Sequence, residues 1–222
     1  MSRGEIFIVS APSGTGKNTL IGAVLASLDG LEHCISHTTR QARQGERDGD
    51  PYYFVDRETF QSMIAQGEFV EWAEYNGQLY GTSAREIDAR LEQGIDVVLD
   101  IEVVGAAKLL EARPEAHAIF LLPPAFDTLR TRLLERNLDA AGDMAERLAL
   151  STWEIERYGL YHYVIINDDL DRASQALAAI ILDKRHRVER QQEGVAEILA
   201  DFRRRSNPGE SSLLPGAPST DT

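Results

Sequence analysis

One cysteine, Cys34, stands in the whole chain, so no intramolecular disulfide can form and no cysteine-based metal cluster can be built. Its best reading is a small buried hydrophobe in a strand. Basic residues are also short. The 23 Lys and Arg against 36 Asp and Glu leave a formal charge of −13, which argues against nucleic acid or an anionic membrane as the main partner, since both reward a basic surface. No stretch reaches the roughly 20 apolar residues that a membrane helix needs. The opening MSRGEIFIVSA has one basic residue and an apolar run too brief for a signal-peptide core. No internal repeat is present. These absences point to a reducing, cytoplasmic setting, and they require any anionic substrate to find a local basic pocket. What is present suffices for a full core: 222 residues, 43% of them hydrophobic, enough for one domain with an inserted piece or two small ones.

The richest signal is Glu5 to Leu20, EIFIVSAPSGTGKNTL, where an apolar strand-like run meets a loop with Gly14, Gly16 and Lys17 and then a helix. Glycines let successive backbone N–H groups turn onto phosphate oxygens, the helix N-terminus adds partial positive charge, and Lys17 supplies a cation. The strict P-loop pattern is broken twice, because Ala11 takes the first glycine position and Asn18 the hydroxyl position. An amide oxygen is still a legitimate ligand for a hard cation, but its longer arm pushes the ion outward or requires contact through water.

Along the chain, helical periodicity runs from Lys17 to Leu28 and stops at Asp29-Gly30, and His33 to His37 reads as a short strand. Thr38 to Pro51 reads as a long polar loop carrying three arginines, and long loops in compact domains are usually functional. A strand at Tyr52–Val55, a helix from Arg57 capped by Asp56, and a hairpin of Glu68–Tyr75 and Gln78–Tyr80 around Asn76-Gly77 make a small β-rich insert. Ser83 with Glu86 forms a capping box for the next helix. Asp96–Ile101 and Ala118–Leu122 are continuous apolar strands of the kind buried on both faces of a parallel sheet. They alternate with helices at Val103–Ala112, Ala125–Glu135 and Ala145–Arg157. A last strand at Tyr161–Ile166 precedes a helix from about Asp171 that runs to His186 or beyond. The alternation predicts an α/β fold with a mostly parallel sheet. From residue 206 onward, the chain is rich in Pro, Gly and Ser, and residues 206–222 read as a disordered tail.

Three further clusters carry chemistry. In HTTRQARQGERDGDPYY, Arg40 and Arg43 can grip a phosphate as guanidinium forks while Tyr52 adds a hydroxyl donor; taken alone, this is a solvated charged loop. In EFVEWAEYNGQLYGTS, the Glu71 carboxylate can accept from both N1–H and the exocyclic amine of guanine, with Thr82 serving the carbonyl; alone, Glu71 is an outward hairpin residue. In RLLERNLDAAGDMAER, Arg132, Arg136 and Arg147 can bring charge to a transferring phosphoryl group; alone, the first two are an exposed i, i+4 pair.

Taken together and in this order, with DVVLDIEVVGA, FLLPP and YVIINDDLD, these motifs resemble the guanylate kinase family from about Arg3 to Lys184. The resemblance implies an α/β P-loop three-layer fold with a mostly parallel central sheet, a small β-rich GMP-binding insert at 36–83 and a helical lid at about 132–147. The core and lid then occupy 1–35 and 84–205. It implies ATP-dependent phosphorylation of GMP to GDP, with Mg²⁺ accompanying ATP. Partners are then the small molecules GMP and ATP, with no nucleic acid and no membrane; a homo-oligomer is left open. By this resemblance Ala11, Pro12, Ser13, Gly14, Thr15, Gly16, Lys17, Asn18 and Thr19 form the ATP site, with Asn167 near the adenine. Ser36, Arg40, Arg43, Tyr52 and Tyr80 hold the GMP phosphate, while Glu71, Thr82 and Glu102 contact guanine. Lys17, Arg40, Arg132, Arg136 and Arg147 are the catalytic cations, the last three being mobile cations of the lid. Asp100 faces the Mg²⁺ shell through water, and Asn18 is the weaker metal contact. The chain departs from the family at Glu102, Val104, Ala42, Gln44, Glu135, Asn137 and above all Asn18, which predicts reduced Mg²⁺ affinity rather than a dead enzyme. A kinase for another nucleoside monophosphate would give Glu71 and Thr82 no role. A peptide-binding scaffold domain of this shape typically lacks the P-loop lysine.

Overall fold

The computed structural model describes residues 2–43, 45–49, 51–75, 77–136 and 144–206. Five strands, β1 (Ile6–Ser10), β2 (Leu31–His33), β8 (Asp96–Asp100), β9 (His117–Leu122) and β10 (Tyr163–Ile166), form one sheet in the order β10-β9-β1-β8-β2. Every pairing in it is parallel. Because β1 lies at the centre, all five of its residues are buried, as expected of a strand covered on both faces. The alternation of its side chains assigns the two faces. Phe7 and Val9 pack with residues of α1 (Lys17–Ser27) and α7 (Leu170–Arg185). Ile6 and Ile8 pack with residues of α3 (Ala84–Glu92) and α4 (Val103–Ala112). Helix, sheet and helix make three layers.

A second sheet is built from β3 (Ser36–Thr38), β4 (Arg47–Asp48), β5 (Pro51–Phe54), β6 (Phe69–Tyr75) and β7 (Gln78–Ser83), in the order β4-β5-β3-β7-β6. Its pairings are mixed: β3 is parallel to β5 and antiparallel to β7. Helix α2 (Arg57–Ala65) starts at Asp56, whose side chain accepts from the Thr59 N–H.

The structure corrects the expected elements in four places. The single strand expected at His33–His37 is two strands in different sheets. Cys34 is buried between them, its N–H donating to the Val98 carbonyl at the edge of the first sheet, before the chain turns into the second. The loop from Thr38 to Pro51 contains the two-residue strand β4. Only half of the capping box forms: Ser83 Oγ accepts from the Glu86 N–H, but the Glu86 carboxylate is held by Arg90 at 2.8 Å. The last strand begins at Tyr163, because Tyr158–Leu160 forms a 3-10 turn. The hairpin residue Asn76 lies outside the described residues; Tyr75 pairs with Gln78 across the turn and Gly77 takes φ 75°. The Pro/Gly/Ser-rich tail also lies outside them apart from Ser206, which ends α8 (Val188–Ser206). Helices α5 (Phe126–Arg136) and α6 (Met144–Ile155) flank residues 137–143, the middle of the expected lid, which lie outside the described residues together with the Arg136 side chain.

Candidate active site

The loop between β1 and α1 leads off at the C-terminal edge of the parallel sheet. Gly14 and Gly16 both take left-handed backbone conformations, φ 88° and 95°, which residues with a Cβ rarely adopt. A Cβ on Gly14 would also press on Leu133, and one on Gly16 would lie 2.9 Å from Asn167. Two side chains brace this loop. The buried Asn167 amide donates to the Thr15 carbonyl at 2.7 Å, and Arg132 donates to the same carbonyl at 3.2 Å. Arg132 therefore reaches the loop from the body of α5.

Lys17 opens α1, with no acidic residue in that helix's first turn. Its ammonium pairs with Asp100 at the end of β8 and lies 3.8 Å from Glu102. Burial alone would drive this ammonium toward neutrality, but the charges of Asp100 and Glu102 prevail and its pKa is raised. Ala11, Pro12, Gly14 and Thr15 are buried, whereas Ser13, Asn18 and Thr19 are exposed around the loop.

The second sheet brings its candidate residues together in two groups. Thr82 on β7 donates to Glu71 Oε1 on β6 at 2.7 Å, and Ser36 on β3 lies 3.4 Å from Thr82. Glu71 is only 7% exposed, and burial raises its pKa despite the Thr82 hydrogen bond and the nearby Lys108. The first turn of α4 closes this group, since a Cβ on Gly105 would lie 2.8 Å from Glu71 Oε2. Glu102 is the N-cap residue of that same helix, but its side chain forms no cap and extends toward Lys17 instead.

In the other group, Arg40 lies over the Tyr52 ring, and the Tyr52 and Tyr80 rings meet edge to face 5.8 Å apart. Burial raises the Tyr52 pKa, and the charge of Asp100 raises it further, against the opposing charges of Lys17 and Arg40. Arg43 is placed by its backbone N–H, which donates to Glu46, and its side chain is exposed.

Residue-by-residue reading overlooked two carboxylates. Glu46 takes both prongs of the Arg40 guanidinium at 2.9 and 3.0 Å, and this hydrogen bonding lowers its pKa. Glu154 on α6 is 6% exposed, and burial, reinforced by the charge of Glu102 and a hydrogen bond with it, pushes its pKa up to about 8 against the opposing charge of Lys17. The sequence held a signal for the second. Arg147, Ser151 and Glu154 fall on one face of a helix at i, i+4 and i+7. Ser151 is buried and donates to the Arg147 carbonyl, while Arg147 Nη1 is buried with no hydrogen-bond partner among the described residues.

Comparison with known proteins agrees with this geometry. The guanylate kinase family profile matches residues 3–184. A guanylate kinase of Alkalilimnicola ehrlichii is 43% identical over 199 residues, 90% of this chain and 98% of that protein. One from Neisseria meningitidis is 46% identical over 197 residues, 89% of this chain and 96% of that protein. The crystal structure of guanylate kinase from Anaplasma phagocytophilum aligns with TM-score 0.69 at 31% identity, covering 86% of this chain and 90% of the other. A glycine-and-lysine loop at the edge of a parallel sheet, a buried carboxylate on a second sheet and a family match over most of the length converge on one assignment: the chain belongs to the guanylate kinase family.

Proposed function

We propose that the two groups of side chains are the two halves of a phosphoryl-transfer site in an enzyme that converts ATP and GMP to ADP and GDP. The observation that carries this reading is the first turn of α4: its N-cap residue Glu102 lies 3.8 Å from Lys17 of the glycine loop, and Gly105 of the same turn closes on the Glu71 carboxylate of the second sheet, where a Cβ would lie 2.8 Å from Oε2, which joins the acceptor side to the donor side. In this reading residues 1–35 and 84–205 are the core with its lid, and 36–83 the GMP-binding insert.

Ser13 to Thr19 cradle the ATP phosphates with backbone N–H groups and the Lys17 charge, and Asn167 and Arg132 hold the loop in shape. Arg40, Arg43, Tyr52 and Tyr80 receive the GMP phosphate, with Ser36 meeting it from beside Thr82; Arg40 enters this role from its pair with Glu46. Glu71 accepts from the guanine N–H donors, with Thr82 and Glu102 completing the base contacts. The GMP phosphate is already ionised near neutral pH, so it attacks without a general base, and positioning and charge stabilisation supply the acceleration. Arg136 and Arg147 meet the charge developing on the transferred group.

Among the described residues no group of three or more His, Cys, Asp or Glu could hold a metal by itself. That suits an ion carried mainly by phosphate and water. Mg²⁺ accompanying ATP would supply neutralisation of the donor phosphates, with Asn18 and Asp100 as the residues that meet its shell. No helix among the described residues is long and apolar enough to cross a membrane.

The test is a coupled ADP-release assay with GMP, AMP, CMP and UMP side by side. The expected outcome is release that depends on GMP. Equal release with AMP would overturn the assignment of the base pocket.

A further inference from the structure

Helix α8 begins after the last residue that the family profile matches and runs for 19 residues without burying one. Helices of this length owe most of their stability in water to the packing of an apolar face, and α8 has such a face. By helical periodicity Val188, Val195, Ile198, Leu199 and Phe202 share a stripe about 100° wide, and each is between 48% and 75% exposed. What ties α8 to the rest of the chain is polar. Arg190, across the helix from Val188, pairs with the fully buried Asp96 at 2.6 Å, and Gln191 donates to the Arg185 carbonyl at 2.8 Å. The preceding helix shows the usual arrangement, since α7 buries Ala173, Leu177 and Ile181. Scattered apolar residues on a surface need no partner, but a contiguous stripe of this size marks an interaction site.

The charge along α8 identifies the partner. Glu189, Glu193 and Glu197 lie in its first half, and Arg203, Arg204 and Arg205 in its last turn. A second copy laid antiparallel sets each acidic half beside the other's basic end, whereas a parallel copy sets like charges and like helix ends together. Arg204 and Arg205 pair with Asp201 inside the helix at 3.4 and 2.9 Å. Arg203 stands on a different side, two heptads after Glu189 and therefore on the same flank of the stripe. A twofold axis near Ala196 brings Glu189 of each copy to Arg203 of the other, so the pair occurs twice in one interface. The same axis lays stripe on stripe, with Val195 and Ile198 at the centre and Val188 and Phe202 toward the ends. Five such side chains from each copy cover on the order of 1,000 Å² in all, the size at which specific interfaces begin. We propose that the chain self-associates through α8 as an antiparallel helix pair, closed by the apolar stripe and by reciprocal Glu189–Arg203 pairs. Arg190 fixes the start of α8 at the end of the sheet opposite the glycine loop, so the pairing is independent of the reaction assigned above.

The experiment is sedimentation equilibrium of the full chain from nanomolar to high-micromolar concentration, with Ile198→Asp, Glu189→Arg, Arg203→Glu and the double variant Glu189→Arg/Arg203→Glu alongside. The wild-type chain is expected to show a reversible monomer–dimer equilibrium. Ile198→Asp should raise the dissociation constant about a hundredfold or more, because it sets a carboxylate against the apolar stripe of the other copy. Glu189→Arg and Arg203→Glu should each raise it about tenfold by facing like charges, and the double variant should recover most of that loss. All these positions are exposed, so every variant is expected to keep the wild-type far-UV circular dichroism. A monomer at every concentration would overturn the proposal. Dimerisation untouched by Ile198→Asp would do the same by placing the interface elsewhere, and a charge swap no better than its single variants would remove the antiparallel register. Two further results count against it: a full chain that dimerises only once residues 207–222 are deleted, which assigns the stripe to that segment, and a monomer that binds vesicles of phosphatidylglycerol and phosphatidylcholine through Ile198, which assigns it to a lipid surface.

Discussion

In the proposed site a single side chain, Glu71, would carry specificity. Its carboxylate is buried on a strand with one hydroxyl donor, Thr82, and a purine offering two N–H groups would fill the rest of its capacity. Replacing it by alanine leaves those donors unpaired, which costs about 1–3 kcal/mol. The expected outcome for Glu71→Ala is a higher KM for GMP and a narrower gap between GMP and AMP; steady-state assays with both nucleotides check it, and full retention of selectivity would remove Glu71 from the pocket. Asn18 makes a different prediction. It is exposed in the first turn of α1, where its amide reaches farther than a hydroxyl. Titrating Mg²⁺ against initial rate should show half-saturation at lower Mg²⁺ for Asn18→Ser than for the native chain, and superimposable curves would refute this. Both residues were legible from sequence, since each sits inside an ordered motif. Glu46 was not, because its meaning lies in the partner, Arg40, that folding brings to it.

Among the elements, α4 joins the two sheets. Its N-terminal turn leaves β8 in the first sheet and packs against β6 of the second, and at that crossing only a hydrogen fits: a Cβ on Gly105 would come within 2.5 Å of the Ile101 side chain and 2.8 Å of Glu71. Gly105→Ala is expected to displace Glu71, raising the KM for GMP more than that for ATP while the protein stays folded; equal effects on both substrates would show that the crossing does not govern the pocket. The apolar runs of β1, β8 and β9 announced themselves, since a strand covered on both faces must be apolar throughout. The break between β2 and β3 did not. Both short strands share one β-like stretch of sequence, and only their separate partners, β8 for one and β5 with β7 for the other, divide them.

Across the whole molecule, the end of the sheet opposite the site is tied together by charge. Asp96 is fully buried at the start of β8, where it accepts from the Glu5 N–H and from Arg185 at 2.7 Å and pairs with Arg190 at 2.6 Å. These arginines belong to the end of α7 and the start of α8, so one carboxylate fastens the C-terminal helices to the sheet. Asp96→Ala would leave Arg185 without its carboxylate and Arg190 with only Glu5 at 3.6 Å, and removing one member of a buried pair costs about 3–5 kcal/mol. A correspondingly lower urea midpoint is expected, with little change in either KM; an unchanged midpoint would show the network to be incidental. Glu5, next to it, has a pKa lowered by its hydrogen bond with His117, against the effect of burial, with help from His117 and Arg190 charges. A depressed carboxyl pKa adds stability above its unfolded value and loses it as pH falls through the folded one. The native chain should therefore lose stability below about pH 4.5, the ordinary value for this carboxyl, more steeply than Glu5→Gln; parallel acid limbs in urea unfolding at stepped pH would refute this.

The amino-acid order alone determined the alternation of apolar strands and amphipathic helices, the glycine-and-lysine loop and the carboxylate-bearing hairpin, because each is a local pattern read within a few residues. Tertiary structure alone decided which distant groups meet: Arg132 on the Thr15 carbonyl across 117 residues, and Asn167 on the same atom across 152. Packing of the sheet and helix layers sets those distances, and no spacing along the chain encodes them.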